Sequence, residues 1–219
     1  MLQALRPTLE KNLFPTTLEE KSKHYHIHYT LDPFLQEDLE KLLRSYRPDY
    51  AAIIALEPST GRILASVDFS KYPLEKSLTL RASFPAASLF KLITASIAIE
   101  LKKANADSEY PFRGSYHTLY RRNVTSRTPS SLKVSLKEAF AKSINSIFGK
   151  IGYYDLSQTE LQTYSERFLF NADISKEIPV EKGLLLFDQK DPWEMAEIAS
   201  GFSHKVLLSP LQAALIAPS

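Results

Sequence analysis

Apolar and polar positions split the chain into an early portion that reads as helix and hairpin and a longer remainder that reads mostly as helix. Residues 1–23 carry only a weak helical pattern, interrupted by Pro7 and Pro15, and are expected to form a loosely held arm ahead of one domain spanning 24–219. His24-Tyr25-His26-Ile27-His28-Tyr29-Thr30 alternates with the period of an exposed strand. Asp32-Pro33 opens an amphipathic helix from Phe34 to Tyr46, with Phe34, Leu35, Leu39, Leu42 and Leu43 on its apolar side. Tyr50–Leu56 is a short, almost wholly apolar strand, Pro58-Ser59-Thr60-Gly61 a turn, and Arg62–Val67 a returning strand. Together they predict a hairpin whose first strand belongs to a sheet covered on both faces.

The pattern then changes to helix. Phe84-Pro85-Ala86-Ala87 leads into Ser88-Leu89-Phe90-Lys91 and the apolar run Leu92–Ile99, which predicts a buried helix with proline near its start. A polar connection follows, from about Ala104 to Lys133. Ser135-Leu136-Lys137-Glu138 is a capping-box signature opening a helix over 136–142, and Ser157-Gln158-Thr159-Glu160 opens another through Phe168. Asp191-Pro192 and Pro210 begin two more. Gly183-Leu184-Leu185-Leu186-Phe187 is the only strand-like run after Ser88. Two strands make a poor sheet, so the expected fold is α+β, helix-rich, around an antiparallel sheet that is incomplete within these residues.

Composition narrows the picture without adding chemistry. A content of 44% hydrophobic and 24% charged residues suits a globular domain. With a net charge of +2 and basic residues scattered among acids, no nucleic-acid partner is expected. The absence of cysteine excludes disulfides and thiolate metal sites, and no cofactor is implied. No apolar run is long enough to span a bilayer, and Met1–Arg6 lacks the apolar core of a signal peptide.

Ser88 and Lys91 lie three apart, so on a helix they share a face and the amine can meet the hydroxyl. An amine in a partly desolvated site has its charged form disfavoured and can take a proton from serine, while the helix start brings positive potential to an acyl group under attack. The spacing alone also suits a serine that merely begins a helix. A second copy, Ser130-Ser131-Leu132-Lys133, sits in a polar, turn-like stretch where serines act as caps. Ser143 and Asn145, at a junction in Ala139–Gly152, read equally well as caps or as site residues. His24, His26 and His28 would face one side of a strand, either as a metal-binding face or as a solvated one; His117 and His204 lack a partner pattern. The aromatic residues Tyr110, Phe112, Tyr116 and Tyr120 read as loop packing.

Taken in order, these segments resemble the transpeptidase domain of penicillin-binding proteins, the serine D,D-transpeptidases that cross-link peptidoglycan, within the β-lactamase-like superfamily. Tyr29–Gln36 is similar to the lead-in of that domain and Ala55–Ala65 to its first hairpin. Phe84–Lys91 is similar to its Ser-x-x-Lys element, Ser143-Ile144-Asn145 to its Ser-x-Asn element, and Leu208–Ala214 to the helix start written T-P-L-Q. The resemblance implies Ser88 as nucleophile, Lys91 as the acceptor of its proton, and Ser143 as a relay toward the leaving amine. It implies Asn145 as a substrate-amide contact that also touches Lys91, and the Ser88 backbone N–H as half of an oxyanion hole. The implied partners are peptidoglycan stem peptides, β-lactam antibiotics and other cell-wall synthesis proteins. The implied location is the bacterial periplasm or the outer face of the cytoplasmic membrane.

One family element has no counterpart. The third motif, Lys-Thr-Gly or Lys-Ser-Gly, is absent, and Lys150-Ile151-Gly152 reads as a helix end instead. In relatives that motif follows the T-P-L-Q helix, so the reading expects a chain cut short before it, without the second oxyanion donor and without a complete site of its own. The alternatives are a β-lactam-binding sensor or an inactive cell-wall scaffold. A class D β-lactamase fits less well, since those enzymes carry Ser-x-Val where this chain has Ser143-Ile144-Asn145.

Overall fold

Leu2–Leu9 (α1) precedes a hairpin of Thr17–Glu20 (β1) and Lys23–His26 (β2), then Pro33–Tyr46 (α2) and a second hairpin, Tyr50–Leu56 (β3) and Ile63–Ser70 (β4). This computed structural model describes residues 2–11, 13–126, 132–188 and 191–217. The chain continues through Phe84–Pro85 (β5), Phe90–Glu100 (α3), Glu109–Pro111 (β6), Arg121–Thr125 (α4), Lys133–Ser135 (β7) and Leu136–Ala141 (α5). Asn145–Lys150 (α6), Gln158–Arg167 (α7), Leu184–Leu185 (β8), Pro192–Ser200 (α8), Val206–Leu208 (β9) and Pro210–Ile216 (α9) complete it. The class is α+β: helices with small antiparallel ladders. Two compact units form. One comprises Met1–Phe84, Ala172–Gly183 and Leu208–Ser219; the other comprises Pro85–Asn171 and Leu184–Leu207.

In the first unit, β3 and β4 run antiparallel from Tyr50↔Ser70 to Ala55↔Ala65, and the register slips at Leu56↔Ile63. α2 starts where the Asp32 carboxylate accepts from the Phe34 and Leu35 amides, a cap worth about 1 kcal/mol. It is tied to β4 through Gln36, whose amide donates to Ser66 O at 2.9 Å and accepts from Ser66 N at 3.0 Å. The described part of residues 1–23, expected as an arm, contains α1 with Leu5 buried, β1, and the start of β2.

Two expectations change here. β3 is half-buried along most of its length and pairs, among the described residues, with β4 alone, rather than lying in a sheet covered on both faces. Apolar composition reports what a strand can bury, not what this stretch of chain sets against it. On α2, Phe34 and Leu42 are exposed while Leu43 is buried, because the inner stripe runs through positions 35, 39 and 43 at helical spacing and leaves 34 and 42 beside it.

The second unit is organised by three helices. Phe90, Ile93, Ile97 and Ala98 of α3 are buried, as are all residues from Asn145 to Gly149 of α6 and most of α8. Lys150-Ile151-Gly152 is not a helix end: α6 runs on as a wider turn over Ile151–Asp155. A Cβ on Gly152 in this turn would lie 2.4 Å from Met195 O and 2.5 Å from the Ala199 Cβ, so α8 packs directly on its backbone. α7 begins with the full reciprocal capping box of Ser157 and Glu160. At α5 only half of the expected box forms, with Ser135 accepting from Glu138 N while the Glu138 carboxylate turns to Lys142.

The polar connection after Ala104 also holds structure that sequence pattern did not reveal: α4, and the ladder Glu109↔Ser135, Tyr110↔Val134, Pro111↔Lys133. Of the strand-like run 183–187 only Leu184 and Leu185 pair, with Leu207 and Val206. Strands of two or three residues are too short to display a period. The copy of the serine motif at Ser130-Ser131 lies outside the described residues.

Gly152→Ala tests the α6–α8 approach. In an open helix alanine stabilises relative to glycine, whereas here overpacking is expected to cost about 1–3 kcal/mol, read as a lower urea midpoint. An unchanged or higher midpoint would contradict the packing.

Candidate active site

Ser88 sits in a single 3₁₀ turn, Ala87–Leu89, that feeds directly into α3. Two backbone features set this turn. Ala86 N donates to Val206 O at 2.8 Å, holding the approach against β9. Ala87 then takes the left-handed conformation, φ 47°, which costs an alanine on the order of 1–2 kcal/mol. Gly201, the left-handed C-cap of α8, lies against the same peptide: a Cβ on it would stand 1.8 Å from Ala87 O. On the next turn of α3, Thr94 Oγ1 donates to Ala199 O at 2.8 Å, so the helix carrying Ser88 is pinned to α8.

Lys91 follows Ser88 by one turn and is 2% exposed. Its amine donates to Ser88 Oγ at 2.8 Å, Ser143 Oγ at 3.1 Å and Asn145 Oδ1 at 2.7 Å. The Phe148 ring lies 5.9 Å from the amine. Ser143 Oγ in turn donates to Ser88 Oγ at 2.9 Å, closing a triangle of two hydroxyls and one amine. Ser143 reaches this position from the α5–α6 junction, where it also holds a left-handed backbone, φ 52°. Asn145 is oriented at both ends: its backbone N donates to Tyr116 O at 2.7 Å and its Nδ2 to His117 O at 2.8 Å. Its Oδ1 is thereby turned toward Lys91.

Electrostatics follow from burial. All three partners of the amine are neutral, and desolvation lowers the Lys91 pKa to about 8 from the ordinary 10.5. The ammonium has three protons for three acceptors. After losing one, the amine still donates to Ser143 and Asn145 and turns a lone pair to the Ser88 hydroxyl. The arrangement suits deprotonation of a serine and proton transfer between two hydroxyls.

The structure therefore brings together all four residues singled out in the sequence, Ser88, Lys91, Ser143 and Asn145, in the second unit. It does not add His24 or His26, which sit on β2 in the first unit; among the described residues no group of three His, Asp or Glu could hold a metal. What sequence reasoning missed is mainly backbone: the Tyr116 and His117 carbonyls and the Ala87–Gly201 contact. A main-chain carbonyl leaves no signal in residue identity. Gly201 offered one, a glycine just past a helical run, but nothing said what it faced.

Comparison with known proteins gives a consistent picture. The penicillin binding protein transpeptidase domain family model matches residues 51–217. The peptidoglycan D,D-transpeptidase PbpA of Mycobacterium tuberculosis is 32% identical over a region covering 49% of this chain; this chain spans 28% of that curated relative's length. Among solved structures, penicillin-binding protein A from M. tuberculosis in a ceftriaxone acyl-enzyme complex superposes with a TM-score of 0.68 at 24% identity, covering 86% of this chain and 49% of the other. PBP2 of Pseudomonas aeruginosa gives 0.71 at 21%, covering 86% and 50%. The D,D-transpeptidase domain of a peptidoglycan glycosyltransferase from Eggerthella lenta gives 0.71 at 20%, covering 86% and 52%. At these identities the superpositions speak for the fold.

Burial of Lys91 has a signed consequence for stability. Between about 8 and 10.5 the unfolded chain holds a proton the folded chain has lost, so stability rises with pH across that window. Below 8 both states are protonated and the burial cost, on the order of 3 kcal/mol, is present in full. Urea denaturation of the protein and its Lys91→Met variant should show a stability difference that is flat from about pH 6 to 8 and drifts in favour of the lysine form above it. A difference constant through pH 10 would contradict the desolvated amine.

Proposed function

The chain belongs to the penicillin-binding-protein transpeptidase family, and on that premise we propose that it carries the nucleophile half of a peptidoglycan D,D-transpeptidase site, with Ser88 as the acyl-accepting residue. The observation that carries this reading is the convergence of Ser88, Ser143 and Asn145 on the Lys91 amine within 3.1 Å. The names of the relatives support it, one a D,D-transpeptidase and one captured as a β-lactam acyl-enzyme.

In this mechanism Lys91, as the neutral amine, takes the Ser88 proton while Ser88 Oγ attacks the carbonyl of the penultimate D-alanine. The Ser88 backbone N–H, at the start of the helix, faces the oxygen on which charge develops. Collapse breaks the amide C–N bond, and a proton passes through Ser143 to the departing D-alanine amine. The serine ester that remains is resolved by an acceptor amine, which forms the new amide and returns Ser88 to its hydroxyl. A β-lactam enters the same first step, but its opened ring stays attached and the ester persists. Asn145 supports both by keeping Lys91 aligned and offering its amide to substrate. Positioned proton transfer of this kind contributes about 10²–10⁴ in rate. The partners proposed are stem peptides, β-lactams and other cell-wall synthesis proteins, and the site would work in the bacterial periplasm; no described helix is long and apolar enough to cross a membrane.

Fluorescent penicillin tests the reading. A stable label on the protein, lost in Ser88→Ala, is expected. A stable label fits a transpeptidase or a β-lactam sensor, rapid turnover of the label would point to a β-lactamase, and no label at all to a scaffold or an incomplete site.

The role of Lys91 has its own signature. The labelling rate should climb about tenfold per pH unit up to about 8 and level off above, as the neutral amine becomes the major form. Lys91→Arg keeps the charge but cannot give up a proton, so labelling should fall by at least about 10². Retained labelling in that variant would leave the lysine only a structural role.

A further inference from the structure

The even scatter of charge read along the whole chain breaks down in one segment. From Tyr110 to Lys137 there is no acidic residue, while Arg113, Arg121, Arg122, Arg127, Lys133 and Lys137 are all basic. The segment thus carries +6 in a chain of net +2, so the remainder carries −4. Part of it folds around a polar pocket of about 660 Å³ in the second unit, between the 113–116 loop and α4. Arg113 and Arg122 line it together with Ser115, Tyr120, Asn123 and Thr125.

The pocket is built rather than incidental. Gly114, at φ 85°, brings the loop so close to α4 that a Cβ would lie 2.6 Å from Asn123 Nδ2. Arg122 lies over the Tyr120 ring at 5.5 Å, which holds its guanidinium in place. Arg121, by contrast, is turned away onto Trp193 at 5.2 Å and Asp191 at 3.5 Å. The field of Arg113 also reaches Lys150, whose amine is lowered by burial first and by that guanidinium second. The same loop continues into Tyr116 and His117, the two carbonyls that orient Asn145.

We propose that this pocket is a subsite for carboxylate groups of an acidic peptide strand bound along the Ser88 site. Guanidinium groups pair with carboxylates through two parallel hydrogen bonds, and the hydroxyl and amide donors beside them suit the polar backbone of a peptide. The loop that would take the carboxylate runs on through the two carbonyls that hold Asn145, so one stretch of main chain links the pocket to the Ser88 cluster. The inference rests on the reading of Ser88 as acceptor of a peptide acyl group.

The test is an anisotropy titration of the protein with two dansylated peptides ending in D-alanyl-D-alanine, one with two internal glutamates and one with glutamines in their place. The glutamate peptide is expected to bind about tenfold tighter, equivalent to about 1.4 kcal/mol. Added sodium chloride should narrow the ratio, and the Arg113→Gln/Arg122→Gln double variant should remove it while leaving the glutamine peptide's affinity in place. A ratio near one in the unmodified protein, or a ratio that survives the double variant, overturns the proposal. Inorganic phosphate displacing the glutamate peptide more strongly than acetate would assign the pocket to phosphate and overturn it as well. Penicillin labelling of the same samples separates the two readings. A charge-dependent ratio without Ser88 labelling leaves the pocket standing and removes the transpeptidase reading, and labelling with a ratio of one does the reverse.

Discussion

The polar cluster of the second unit is arranged around one buried amine. Lys91 is held away from water against the Phe148 ring and offered only neutral oxygens, so its charge is compensated by hydrogen bonds rather than by an opposite charge. A carboxylate partner would have kept the ammonium in place and raised its pKa. Neutral partners leave the amine able to lose its proton near neutrality while remaining anchored through Asn145. The same burial that destabilises the fold below about pH 8 is what makes the group chemically useful.

Strained backbone accompanies that amine at two positions. Ala87 and Ser143, both non-glycine residues in the left-handed region, flank the amine from the two sides. Neither position would persist unless its surroundings over-determined it. At Ala87 the surroundings are the β9 hydrogen bond to Ala86 and the bare Cα of Gly201; at Ser143 they are the junction bonds from Ser143 N to Phe140 O and Ile144 N to Ala139 O. The three apolar helices α3, α6 and α8 form the rigid support, with Gly152 letting two of them approach to backbone contact.

The connection between the two serine elements has a larger part than its loop-like sequence suggested. Its backbone orients Asn145, and its side chains gather positive charge that the rest of the chain only partly offsets. Four of the six basic residues of this segment are arginines, and two of them, Arg113 and Arg122, line its pocket. The site chemistry and the charged pocket are thus joined through main chain, at Tyr116 and His117.

The sequence by itself determined those parts of the protein that are written in local pattern. The start of α2 follows from Asp32-Pro33, the β3–β4 hairpin from its turn residues, the start of α7 from Ser157 and Glu160, and the pairing of Ser88 with Lys91 from a spacing of three. The ordered run of motifs was specific enough to name the family before any geometry. Only tertiary structure decided that Ser143, 55 positions away, would place its hydroxyl on Ser88, that β3 would be half-covered rather than enclosed, and that the helix through Lys150 would continue past Gly152. The division has a physical reason. Caps, turns and helical spacing act within a few residues and so are visible in order along the chain, whereas the site is assembled from backbone carbonyls, left-handed turns and close helix approach, whose energies depend on which surfaces meet.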